Sequence, residues 1–247
     1  MKTALITILL LIILNLAAQT EIYDKWDKLS NKYIQAETKE GIAFHSLDYR
    51  KLENDTIFAE IILSLQKFDI SHLSNHEKKL AFWINIYNIA AVKVVLDNNI
   101  PASIKDGGNL FKPVWKNEAI DVGGRIYSLG EIEHEILRPM NQPLIHFGIV
   151  CASLSCPDLI KQAYRPETVI GQLEENTKRF LQNKTKGMKV NRIKKTAEIS
   201  NIFKWFKDDF ESVPKFIEKY SEVDISAYKI KYLDYNWNLN IPKEERR

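Results

Sequence analysis

Cysteine is scarce in this chain: 247 residues carry two, which excludes a scaffold held together by a disulfide framework. Glycine (nine) and proline (eight) are also few, and no Gly/Ser linker, repeat or low-complexity tract breaks the chain. One domain is expected over residues 20–247. Charge of either sign is not in excess. With 35 basic and 32 acidic residues the net charge is +3, which gives no ground for nucleic acid or an anionic membrane as partner. The metal and nucleotide signatures are missing too: there is no HExxH, paired CxxC, EF-hand loop, GxSxG elbow, P-loop or dinucleotide fingerprint. No cofactor and no metal are expected.

What the first residues do have is an export pattern. Lys2 gives a positive start, Ala4 to Leu14 is apolar except for Thr7, and Ala17-Ala18-Gln19 offers small residues for cleavage. That order describes a secretory signal peptide over residues 1–19. The run is short of the roughly 20 residues needed to span a bilayer, so no stable membrane anchor is expected after cleavage. No cysteine follows it to carry a lipid. The expected destination is the periplasm or the outside of the cell.

Along the rest of the chain the apolar spacing gives a helix over 21–37, an extended segment over 41–47 and a helix over 54–66. Ser74-Asn-His-Glu77 has the form of a capping box, opening a helix to about Asp97 that is apolar nearly all round. Such a helix belongs in the middle of a domain. A hairpin is expected at 118–127 around Gly123-Gly124, then a short helix opened by Ser128-Leu-Gly-Glu131. Leu144–Val150 reads as a buried strand, and Pro157 suits the first position of a helix. A helix over 168–181, strands over 188–191 and 198–202 flanking a basic turn, two short helices near 204–210 and 214–220, and a last strand near 229–233 complete the pattern. The fold class is α+β: helix-rich, with a small, mostly antiparallel sheet and a central apolar helix.

The chemistry-bearing residues cluster around the two thiols. Cys151 and Cys156 in a C-x4-C spacing can close as a disulfide if the segment turns, and an oxidising compartment favours that. Alternatively, one thiolate is a nucleophile, with His146 as its base. On a regular strand His146 and Cys151 would face opposite sides, which weakens that pair and leaves Cys156 open. On the helix after Leu129, the residues Glu131, His134 and Arg138 share a face, either as a solvated surface or as the wall of a cleft. Asn85 and Asn88 are polar residues on the apolar helix. Each must find a hydrogen-bond partner, by tying down a loop, by orienting an imidazole or by lining a pocket.

Four segments together resemble the family known as domain of unknown function 547: Ala81-Phe-Trp-Ile-Asn-Ile-Tyr-Asn88, Ile132-Glu-His-Glu-Ile-Leu-Arg138, His146-Phe-Gly-Ile-Val-Cys-Ala-Ser-Leu-Ser-Cys-Pro157 and Tyr235-Asn-Trp-Asn-Leu-Asn240. The match is clearest over 74–185, with the tail motif at 229–240. The resemblance implies a shared fold and names no reaction. It implies Gly or Ala at position 152 and Asp at position 236. The neutral Asn236 argues against any scheme that needs a carboxylate there. Two functions follow from the residues. One is a thiol hydrolase or acyltransferase using Cys156 or Cys151, His146 or His134, and Asn85 or Asn88, on a small molecule or peptide. The other is a non-catalytic binding or structural module locked by a Cys151–Cys156 disulfide. A redox pair is a third, though C-x4-C lacks the usual C-x-x-C spacing.

Overall fold

The computed structural model describes residues 19–243. Apart from Gln19, the expected signal peptide lies outside the described residues. Helix α1 (19–33) turns Ile22, Trp26 and Leu29 into the core. It ends before the expected Glu37, because the chain switches to strand. β1 (Ile34–Lys39) pairs antiparallel with β2 (Ile42–Leu47), and the buried Ile34 sits opposite the buried Leu47. Cross-strand packing here overrides the helical spacing. α2 (Tyr49–Glu53) and α3 (Thr56–Gln66) follow, and the Asp55 side chain accepts from the Ile57 amide to cap α3.

α4 (His76–Asp97) is the centre of the fold. Its N-cap is Asn75, whose Oδ1 accepts from Lys78 N at 2.8 Å, rather than Ser74. The helix is long and apolar enough to cross a membrane, but 83% of that stretch is buried inside the protein, with other elements packed on every side. β3 (Glu118–Val122) and β4 (Arg125–Ser128) form the expected hairpin, turning through Gly123 and Gly124 at φ +63° and +80°. Left-handed φ at both central residues is what a tight hairpin turn requires. Ser128 Oγ then accepts from Glu131 N at 3.1 Å and opens α5 (Leu129–Glu131). α5 continues as a π-helical turn, Ile132–Leu137.

Leu144–Val150 is not a strand. Pro143–Phe147 is a 3-10 turn, with Pro143 in its first position and irregular chain beyond. A continuous apolar run does not by itself separate the two conformations. Here side chains take the place of a neighbouring strand. Asn88 binds Gly148 O and Val150 N, and Asn176 Nδ2 donates to Phe147 O. Nor does a helix begin at Pro157, since residues 157–168 are turns and irregular chain.

α6 (Val169–Gln182) leads to β5 (Met188–Asn191) and β6 (Thr196–Ile199), an antiparallel pair. α7 (Ile202–Trp205), a 3-10 turn at Lys207–Asp209, and α8 (Val213–Ser221) come next. β7 (Lys229–Tyr232) pairs parallel with β6. The class is α+β, but the strands form three small sheets among the described residues, where one was expected. The C-terminal tail then returns across the molecule. Asn240 N donates to Ala152 O at 3.0 Å, Leu154 N to Asn238 O at 2.9 Å, and Asn236 N to Ser155 Oγ at 2.9 Å. The tail thereby clamps the loop that carries both cysteines.

Candidate active site

The two cysteines sit on a turn through Ala152, whose φ of 56° is left-handed. A large side chain there would be strained, so a small residue is the physical requirement at this position. The turn brings Cys151 Sγ to 3.1 Å from Cys156 Sγ, and Cys151 N donates to Cys156 Sγ at 2.9 Å. Both cysteines are free; the sulfurs share a hydrogen bond and not a covalent bond. The disulfide considered from the spacing is therefore not present here. Cys156 is buried, and Cys151 is half-buried.

Ser153 Oγ lies 3.3 Å from Cys151 Sγ, and Tyr235 Oη lies 3.4 Å from it. The Cys156 thiol is the strongest of these partners, and it favours a negative Cys151 sulfur. Together with the two hydroxyls it outweighs burial and brings the Cys151 thiol down to about 6. Burial, then the charge developing on Cys151, pushes the Cys156 thiol up. The pair therefore releases one proton easily and holds the other.

Cys151 lines a cavity of about 250 Å³. Its walls include Tyr87, Trp115, Trp205, Phe206 and Trp237, and among them stand Glu133, His134 and His146. His146 Nε2 donates to Asp209 Oδ2 at 2.7 Å, which fixes the ring, since an ionised carboxylate only accepts. Arg138 grips the same carboxylate twice, with Nε at 2.7 Å from Oδ2 and Nη2 at 2.6 Å from Oδ1. Arg138, then His146, holds the Asp209 carboxyl below its ordinary range. Phe206 stacks on the imidazole at 4.1 Å. Burial pushes His146 down to about 4, so the ring is neutral, and its Nδ1 has no hydrogen-bond partner. His134 Nδ1 lies 3.3 Å from Arg138 Nη1. Its pKa is lowered, by burial first and then by Arg138.

The 3-10 turn changes the geometry expected from a strand, since His146 and Cys151 line the same cavity. Asn85 and Asn88 do neither of the chemical jobs considered for them. Asn85 binds Tyr164 O at 2.8 Å and Tyr164 N at 2.9 Å, while Asn88 binds Gly148 O at 3.0 Å and Val150 N at 2.8 Å. Each amide stands in for a backbone partner and ties a loop to α4. Neither lines the cavity.

A family model described as "Protein of unknown function, DUF547" matches residues 70–181. Over that segment the chain is similar to the DUF547 family, as its motifs implied. No curated protein and no solved structure matches the chain. The DUF547 segment supplies both cysteines, Glu133, His134 and His146, whereas Asp209, Tyr235 and Trp237 come from outside it.

Two of these groups have no counterpart among the residues singled out from the sequence. Asp209 lies in a three-residue 3-10 turn far from any motif. Glu133 stands within the Ile132–Arg138 motif, beside His134. It lies in the π-helical turn, buried like Leu129 and Leu137, and faces Tyr87 Oη at 3.2 Å. Burial brings its carboxyl up to about 7. The available signal was its spacing, since Leu129, Glu133 and Leu137 fall at i, i+4 and i+8 on the apolar face of a helix. Among the described residues no group of three or more His, Cys, Asp or Glu is placed to hold a metal ion.

Proposed function

We propose that this protein is an exported cysteine-dependent acyl-transfer enzyme, a thiol hydrolase or acyltransferase, with Cys151 as its nucleophile. The observation that carries the reading is one cavity shared by two groups. Cys151 Sγ has three hydrogen-bonding groups around it, each able to donate to the thiolate, and His146 is a neutral imidazole held by Asp209 with its second nitrogen unpartnered.

In this reading the Cys151 thiolate adds to a substrate carbonyl, and the bond to the leaving oxygen or nitrogen breaks, giving a thioester. Glu133, which is protonated below about pH 7, gives its proton to the leaving group. Water or an acceptor alcohol or amine then attacks the thioester. Its proton returns to the Glu133 carboxylate, with His146 Nδ1 accepting a hydrogen bond from the attacking group, and the thiolate is regenerated. Tyr235 Oη and Ser153 Oγ, both near the sulfur, suit the role of donors to the carbonyl oxygen as it gains charge. The aromatic walls favour an acyl group with a flat or apolar part.

The test is acylation by p-nitrophenyl acetate, read as nitrophenolate release and as a single acetyl adduct by intact-mass spectrometry. The adduct maps to Cys151, is absent from Cys151→Ala, and is cleared slowly in His146→Ala. No adduct, or one that persists in Cys151→Ala, refutes the reading.

The 3.1 Å separation of the sulfurs favours a second reading, a dithiol that passes its two electrons and two protons to a small-molecule disulfide. It predicts that the protein isolated from the export compartment takes up alkylating reagent only after reduction. Export itself rests on the leader over residues 1–19. N-terminal sequencing of the exported chain checks it, with a start near Thr20 expected.

A further inference from the structure

Leu110 and Phe111 are 92% and 93% exposed, among the most exposed large apolar side chains described. They are not on a loose strand of chain. Asn109 Oδ1 accepts from Phe111 N at 3.0 Å and from Lys112 N at 2.9 Å, and Asn109 N donates to Lys112 O at 2.9 Å. Below this turn, Asn117 Nδ2 donates to Gly107 O at 2.8 Å, and the capped 3-10 turn Ile104–Gly107 fixes the approach. The loop is thus built to hold two apolar side chains out in water, against the hydrophobic effect.

The charges around the tip are mostly positive, three lysines to one acid. Lys105, Lys112 and Lys116 are exposed, and the acid between them, Asp106, is engaged with Ser103 N at 3.0 Å. Lys105 Nζ also sits 4.0 Å over the Trp237 ring, and Trp115 on the same loop lines the cavity of Cys151.

We propose that the 105–116 loop is a wedge that docks this protein on an anionic lipid bilayer, with Leu110 and Phe111 entering the interface and the lysines on lipid phosphates. The chain's near-balanced total charge gives no sign of this, because the basic groups matter by their place beside the tip. The size of the feature favours a bilayer over a protein. A specific protein interface takes roughly 800 Å² from each partner, while two side chains on a projecting turn fit a penetrable surface. One short wedge with three lysines gives weak, salt-sensitive, reversible binding. Docking also sets a wall of the cavity at the membrane surface, within reach of lipid-borne acyl groups. That last consequence rests on the thiol reading, whereas the docking does not.

The test is co-sedimentation of the mature protein with vesicles of phosphatidylcholine alone or mixed with phosphatidylglycerol, at low and high salt. Binding is expected to the mixed vesicles at low salt, reduced about tenfold or more in Leu110→Ser/Phe111→Ser and severalfold in Lys112→Glu, with an unchanged melting temperature in each. Cys151→Ala binds like the parent, which separates failure of docking from failure of the thiol chemistry. The proposal is overturned if the mixed vesicles bind no protein, or if the double serine variant binds them undiminished. It is overturned equally if the parent is an oligomer that this variant dissociates, because the tip then covers a second copy of the chain.

Discussion

Replacing Asn88 by alanine is expected to loosen the cysteine loop at a calculable cost. The amide is 2% exposed and makes two hydrogen bonds, from its Nδ2 to Gly148 O and to its Oδ1 from Val150 N. Alanine leaves both backbone groups buried without a partner. Each such group costs about 1–3 kcal/mol, so the pair costs roughly 2–6 kcal/mol. Against a typical total of about 5–15 kcal/mol that is a large share. In urea, with a slope of about 3 kcal/mol per molar for a chain of this size, the unfolding midpoint is expected to fall by roughly 0.7–2 M. Asn88→Asp is the informative companion. It keeps an acceptor for Val150 N but turns a carboxylate toward Gly148 O, so it is destabilised at neutral pH. It recovers as acid protonates the carboxyl and restores a donor. A loss below about 1 kcal/mol in Asn88→Ala, or no pH dependence in Asn88→Asp, would refute the clamp.

Two further outcomes follow from the charges around the cavity. Burial raises the Glu133 carboxyl from 4.5 to about 7, so the unfolded chain ionises it first, and stability falls as pH rises between those values. Glu133→Gln is therefore expected to gain up to about 3 kcal/mol over the parent at pH 8 and nothing at pH 4, by chemical denaturation; equal gains at both pH values contradict the assignment. Asp209 behaves in the opposite sense. Its carboxyl is held low by Arg138, then His146, so its contribution is present above pH of about 4 and is lost as pH falls through the folded value. Asp209→Asn is expected to show a shallower acid loss of stability and a rate of thioester breakdown lower by about 100-fold. A normal rate would remove Asp209 from the machinery.

The long elements were legible in the sequence because their signals are local. The apolar circumference of α4, the Gly123-Gly124 turn and the Ser128 cap each act within a few residues. What was not legible depends on contacts distant in sequence. Leu144–Val150 has a strand's composition, but its backbone is satisfied by Asn88 and Asn176 instead of a ladder. Glu133 shares the spacing of the apolar Leu129 and Leu137, but its partner Tyr87 lies 46 residues away. Asp209 meets His146 from 63 residues away, and the cysteine turn is held by Asn236, Asn238 and Asn240 of the tail. The thiols and His146 could be picked out by type, but their being on one cavity wall could not.

The central claim is that Cys151 is a free, ionised thiol facing the cavity. Alkylation by iodoacetamide across pH, resolved by peptide mass spectrometry, tests it most directly. The account predicts modification of Cys151 with a midpoint near pH 6, Cys156 left unmodified, and a midpoint about one unit or more higher in Cys156→Ala, where the donating thiol is gone. A midpoint near the ordinary value of about 8.5, or a chain that cannot be alkylated without reduction, would contradict it.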